Sequence, residues 1–221
     1  FDVALHLGTL VALVAYFWRD WVKILAGRGK DAGERRLLVP IIVACIPAAV
    51  VGAVFEKIIE TKLREWYWVA GSLVVFGIVM LLAEKVGKGR RVMGRMNWTD
   101  YLTIGCAQSL ALFPGVSRSG ITISAGLFRD IDRASAARFS FLLSMPIIFG
   151  AAMMKLKDVR KTGIPFDERL PFFLGFLTAA LTGYLAIKFL MNYLRTRSLN
   201  VFVVYRMAFA VFMAVVFLVV R

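Results

Sequence analysis

Between two stretches of membrane-grade apolar sequence lies the run Pro114-Gly115-Val116-Ser117-Arg118-Ser119-Gly120-Ile121-Thr122. It constrains the fold more than any other segment, because an arginine at the centre of a bilayer costs about 2.5 to 3.5 kcal/mol even on lenient insertion scales. A cation placed at such depth points to an anion that it holds. Guanidinium offers a planar fork of donors suited to phosphate oxygens. The glycines free the backbone to turn and to aim its N–H groups at the same charge. The alternative is a surface turn carrying a stray arginine.

The rest of the chain favours depth over surface. Of 221 residues 60% are hydrophobic, the mean hydropathy is +0.74, and the apolar residues lie in blocks, which predicts an all-α polytopic membrane protein. The blocks fall at about 3–18, 37–55, 66–83, 139–154, 171–194 and 201–220, giving about six spanning helices in a single transmembrane domain over 1–221. Pro47 reads as a kink within the second, and Trp66, Tyr67 and Trp68 as an aromatic belt at the start of the third. A net charge of +14 would suggest nucleic acid in a soluble protein. Here the basic residues sit in short loops, Lys23, Arg28, Lys30, Arg35 and Arg36 after the first block and Lys85 to Arg95 after the third. That placement serves topology and anionic headgroups, so the partner is the bilayer and not nucleic acid. Cys45 and Cys106 lie inside apolar blocks and read as structural thiols. With no CxxC, HExxH or P-loop pattern, zinc and nucleotide chemistry have no support. The chain opens at Phe1 without an initiator Met, and reads as lacking its start.

The segment at 101–113 would reach only about 20 Å as a helix, against a hydrocarbon core of about 30 Å. Ile121 to Phe128 is shorter still. Two half-helices joined by a Gly/Ser/Arg turn predict a re-entrant hairpin over about 101–128 with its turn near the midplane. If the second half-helix begins at Ile121, its free N–H groups and positive dipole end point back at Ser117, Arg118 and Ser119, which is a phosphate site. Ser119 is then placed as N-cap and Thr122 falls in the first turn. Ser117, with less structural reason to be there, is a candidate nucleophile, and a water nucleophile is equally compatible. Gln108 carries an amide that needs partners, either the hairpin backbone or a substrate. For Arg206, in the last span, snorkelling competes with a buried partner. Asp130 and Asp132 read as a solvated, self-paired turn.

These residues resemble the undecaprenyl-diphosphate phosphatases of the bacterial cytoplasmic membrane, associated with bacitracin resistance. The resemblance is carried by Phe1-Asp2-Val3 with Leu7-Gly8-Thr9-Leu10, Ile46-Pro47-Ala48-Ala49, Pro114 to Gly120 with Thr122, Phe139 to Leu143 with Pro146, and Tyr205-Arg206. It implies a multi-pass protein of the bacterial inner membrane that converts undecaprenyl diphosphate to undecaprenyl phosphate and inorganic phosphate, recycling the lipid carrier of peptidoglycan synthesis. Ser117, Arg118, Ser119 and Thr122 would be catalytic. Gly115, Gly120, Gln108 and Arg206 would bind the polyprenyl diphosphate, and a divalent cation, Mg or Ca, would assist. One departure stands out: the family's second polar motif, two acidic residues four apart followed by a proline-serine-rich turn ending in histidine, is not in this chain. In the family it supplies acidic and metal-binding groups and the other hairpin of an inverted repeat. Its place is expected upstream of Phe1, and the chain as given is expected to be inactive alone. The competing class is a lipid-phosphate or anion transporter or flippase built on the same hairpin.

Overall fold

Within lipid no water satisfies the backbone, so apolar blocks must close their hydrogen bonds internally as helices. The computed structural model describes residues 2–27, 37–63, 65–163 and 169–219, and Arg28, Lys30, Arg35 and Arg36 of the first basic loop lie outside them. The helices run α1 Asp2–Leu25, α2 Leu38–Lys62, α3 Trp66–Val86, α4 Trp98–Ser109, α5 Arg118–Phe128, α6 Arg133–Thr162, α7 Arg169–Tyr193 and α8 Asn200–Val219. Both α2 and α6 continue through their internal prolines, Pro47 and Pro146.

Among the described residues five helices are long and apolar enough to cross a membrane: α2 over Leu38–Phe55, α3, α6 over Arg133–Met154, α7 and α8. The chain is thus a polytopic all-α membrane protein. The expected count of six differs by α1, whose 24 residues are long enough but include His6 and end among Arg19, Asp20 and Lys23. In the sequence these charges read as the flank of a span, whereas the helix runs on through them. The span expected at 139–154 likewise starts earlier, because α6 begins at Arg133.

Small residues let the helices approach, as lipid-embedded packing requires. A Cβ on Gly8 of α1 would stand 2.4 Å from the Phe176 carbonyl oxygen of α7, and one on Gly105 of α4 would stand 2.5 Å from the Ala44 carbonyl oxygen of α2. Helix α3 lies against α8, with Trp66 stacked on Phe217 at 5.1 Å between ring centroids.

The two short helices form a hairpin whose ends are tied together. The N–H of Arg91, ahead of α4, donates to the Asp130 carbonyl at 2.9 Å, and the N–H of Asp132 returns the bond to the Arg91 carbonyl at 2.8 Å. Beside this two-bond clasp Asp100 is wholly buried, taking Arg91 at 2.5 Å and Arg129 at 2.8 Å. The same carboxylate closes a capping box with Asn97 at the start of α4. Asp130 and Asp132 are therefore not a self-paired solvated turn. Asp130 Oδ1 accepts the Lys88 N–H at 3.0 Å, and Asp132 Oδ1 accepts the Ser135 N–H at 3.0 Å, capping α6. At the same end of the molecule, Glu84 takes Arg133 in a two-pronged pair and also accepts the Leu199 N–H at 2.8 Å, fixing α3, α6 and α8 around the hairpin.

Candidate active site

Helix α5 starts at Arg118, three residues before the expected Ile121, and its N-cap is Ser117, not Ser119. The physical reason is Gly120. The Ser117 hydroxyl accepts the Gly120 N–H at 3.1 Å, and a Cβ on Gly120 would press on Ser117 Cβ and on Met80 Sδ, each at 3.0 Å. The absent side chain permits both the cap and the contact with α3. The earlier start brings Arg118 and Ser119 into the first turn, where backbone N–H groups have no intrahelical acceptor.

Gly115 makes the turn possible. Its φ of +87° belongs to the left-handed region, and a Cβ there would lie 2.7 Å from the Val69 carbonyl oxygen of α3. Its own carbonyl accepts Arg206 Nη2 at 2.8 Å. Arg206 is 6% exposed with no hydrogen bond at Nε, so it does not snorkel. One arm holds the turn, while the residue lines a cavity of about 170 Å3 with Ser117, Ser119 and Gly120.

Arg118 opens on two larger spaces. One, of about 370 Å3, is lined by Thr9, Ser119, Ser140 and Ser144 among others. The other, of about 400 Å3, is lined by Cys45, Gln108 and small apolar residues of α2 and α6. Among the described residues the Arg118 guanidinium has neither a carboxylate partner nor a hydrogen-bond acceptor. Gln108 is 2% exposed, and among the described residues neither its Nε2 nor its Oε1 has a partner; the bonding to the hairpin backbone that would have explained it is not made. Thr122 is buried, donating to the Arg118 carbonyl at 2.8 Å and lying 2.6 Å from the Ser140 hydroxyl. It ties the first turn of α5 to α6 and does not line these cavities.

Ser117, Ser119, Gly120 and Arg206 thus share one cavity, and Ser119 also lines, with Arg118, the space beside it; Gly115 shapes the turn, and Gln108 lines the other space on which Arg118 opens. Sequence reasoning missed Ser140 and Ser144. Their four-residue spacing in an otherwise apolar span puts two hydroxyls on one helix face, and that was the available signal.

Residues 1–212 match the family model described as bacitracin resistance protein BacA. The chain belongs to this family. Similar BacA-type relatives include an undecaprenyl-diphosphatase of Moorella thermoacetica, 48% identical over 220 residues and covering 98% of this chain and 82% of the relative. Another, from Thermodesulfovibrio yellowstonii, is 46% identical over 96% of this chain and 79% of its own length. A third, from Elusimicrobium minutum, is 47% identical over 96% and 80% respectively. The α5 site lies inside the BacA match, which ends within α8, beyond Arg206.

Proposed function

We propose that this chain hydrolyses undecaprenyl diphosphate to undecaprenyl phosphate and inorganic phosphate in the bacterial inner membrane, recycling the lipid carrier of peptidoglycan synthesis. The observation that carries the reading is Arg118, a cation with no anion among the described residues, set in the first turn of a helix between two cavities. The Arg118 side chain is exposed, so its donor fork is open to an anionic ligand, and diphosphate supplies one with the right oxygen geometry.

In the reaction a water oxygen forms a bond to the terminal phosphorus while the bond from that phosphorus to the bridging oxygen breaks. The bonding pair leaves with the polyprenyl monophosphate, and the proton lost by the water passes to solvent. Phosphoryl transfer depends chiefly on donors placed around the phosphate oxygens. Arg118, the first-turn N–H groups and the Ser119 hydroxyl supply them, with Arg206 beside them. Ser117 enters the proposal as a donor to phosphate, its oxygen accepting the Gly120 N–H, with water as the nucleophile. Thr122 acts through position, by fixing the turn to Ser140. Gly115 and Gly120 contribute by letting the backbone approach. A divalent cation stays in the proposal as a companion of the diphosphate. The described residues hold no group of three or more His, Cys, Asp or Glu side chains that would bind it, so they do not fit a resident ion and no step is drawn through one.

The assay is phosphate release from undecaprenyl diphosphate by the full-length protein. Release of one phosphate per lipid is expected; binding without release would replace the phosphatase reading with transport.

The hairpin enters and leaves the membrane on one side in this proposal, a reading supported by the backbone clasp between Arg91 and Asp130–Asp132. Single cysteines replacing Arg95 and Ala134, in a protein lacking Cys45 and Cys106, are expected to react with an impermeant thiol reagent from the same face of oriented vesicles. A cysteine replacing Glu65, at the other end of α3, should react from the opposite face. Labelling of the Arg95 and Ala134 positions from opposite faces would make 98–128 a span and refute the hairpin.

A further inference from the structure

Gln108 is the buried polar group that the turn chemistry leaves unused. Its amide is 2% exposed, has no partner at either end among the described residues, and faces the cavity of about 400 Å3 between α2, α4 and α6. Apart from Arg118 and Cys45 the rest of the wall is apolar, small residues such as Ala48, Ala49 and Gly150 standing beside Leu112, Ile147 and Met154. A lone amide in such a wall is costly unless a ligand oxygen completes it. The ligand that satisfies amide, guanidinium and hydrocarbon wall together is amphipathic, with a phosphate ester at one end and an aliphatic chain at the other.

We propose that this cavity seats the isoprenoid end of a prenyl diphosphate: the lipid-bearing phosphate lies between Arg118 and Gln108 Nε2, and the first isoprene units run between α2 and α6. The inference rests on the phosphatase reading and fixes the direction of the substrate within it. On the other side of Arg118 stand the hydroxyls of Thr9, Ser119, Ser140 and Ser144. Thr9 and Ser144 donate their protons to the Leu5 and Phe141 carbonyls and Ser140 is bonded to Thr122, so their free lone pairs suit the attacking water, the Ser119 hydroxyl suits the terminal phosphate, and a hydrocarbon there would desolvate them without return. The space beside Arg206 is only about 170 Å3, less than half the volume of the chain site. The α2–α6 cavity also has an exit: Gly150 is exposed, and a Cβ built on it meets nothing within 4 Å. The remainder of a long chain can therefore continue past α6 into the bilayer, where an apolar tail belongs.

The test compares kcat/KM for phosphate release from undecaprenyl diphosphate and from dimethylallyl diphosphate, using full-length protein. Wild type is expected to prefer the long substrate. Gly150→Leu places a side chain in the exit without a clash and raises helix propensity; it should lower the long-to-short ratio by about tenfold or more, since several chain methylenes lose their site. Ala49→Leu, on the facing helix and also exposed, should lower the ratio in the same direction. Ala186→Leu fills the hydroxyl-lined cavity instead and should not lower it. An unchanged ratio in both Gly150→Leu and Ala49→Leu overturns the assignment, as does a fall confined to Ala186→Leu, which would put the chain among the hydroxyls. Release from neither substrate by wild type would be a separate result, refuting the phosphatase reading and this inference with it.

Discussion

Arg118→Ala in the full-length protein is expected to lower kcat/KM for phosphate release by at least about a hundredfold, the loss seen when one preorganised donor to a developing oxyanion is removed. Arg118 is asked for more than one such bond, since its fork can hold two phosphate oxygens at once. For that reason Arg118→Lys should fail nearly as badly: ammonium restores the charge but not the planar pair of donors. The fold should survive both changes, because the guanidinium has no carboxylate or hydrogen-bond acceptor among the described residues to strand. The measurement is steady-state phosphate release, accompanied by thermal unfolding of each variant. Near-normal turnover by Arg118→Ala would remove the residue from the site, and a collapse of stability with activity would make its role structural.

Asp100→Asn is expected to act in the opposite way, on stability before chemistry. The carboxylate is wholly buried between Arg91 and Arg129, and removing one member of a buried ion network typically costs about 3 to 5 kcal/mol. Because both arginines keep part of their surface in solvent, the lower end of that range, about 3 kcal/mol, is the expected value. Thermal unfolding in detergent at a fixed scan rate would register it, and a variant within a degree of wild type would contradict it. The same site sets a pH dependence. Burial pushes the Asp100 carboxyl up, but the hydrogen bonds from Arg91, the Asn97 N–H and Arg129 outweigh it and hold the carboxyl below the usual carboxylate range. A carboxyl lowered in the folded state contributes its full stabilisation above the unfolded value of about 4 and loses it as pH falls through the folded one. Wild type should therefore lose stability on acidification below about pH 4, and Asp100→Asn should lack that component of the loss.

Much of the site was legible because membrane sequence is so restrictive. Arg118 among glycines and hydroxyls announces itself against an apolar background, and the short segments on either side cannot each cross a bilayer as helices. What was hidden depended on where backbone hydrogen bonds end. A start at Ile121 with Ser119 as cap and a start at Arg118 with Ser117 as cap use the same residue types, and only the fit of Gly120 against Met80 and Ser117 separates them. Gln108 announced a need for partners but not that the hairpin would leave it without any. Asp100 and Glu84 carried no signal at all, since a lone acid near a helix end looks solvated until distant arginines arrive. Ser140 and Ser144 were overlooked for a related reason: serines inside an apolar helix usually bond back to their own turn, as Ser144 does to the Phe141 carbonyl.

The backbone clasp at the foot of the hairpin makes α5 a ruler. It is anchored at its Asp130 end by main-chain bonds, and from there 11 helical residues, at about 1.5 Å each, set how far from the clasp the guanidinium stands. The distance from the clasp at which the proposed site presents a diphosphate is thus written into the length of a helix rather than into the identity of its residues. One residue added to α5 would carry Arg118 about 1.5 Å farther and turn it by about 100°, away from both cavities at once, while leaving every side chain of the motif in place. A chain of this design can vary its walls freely, but it has no freedom to vary that count.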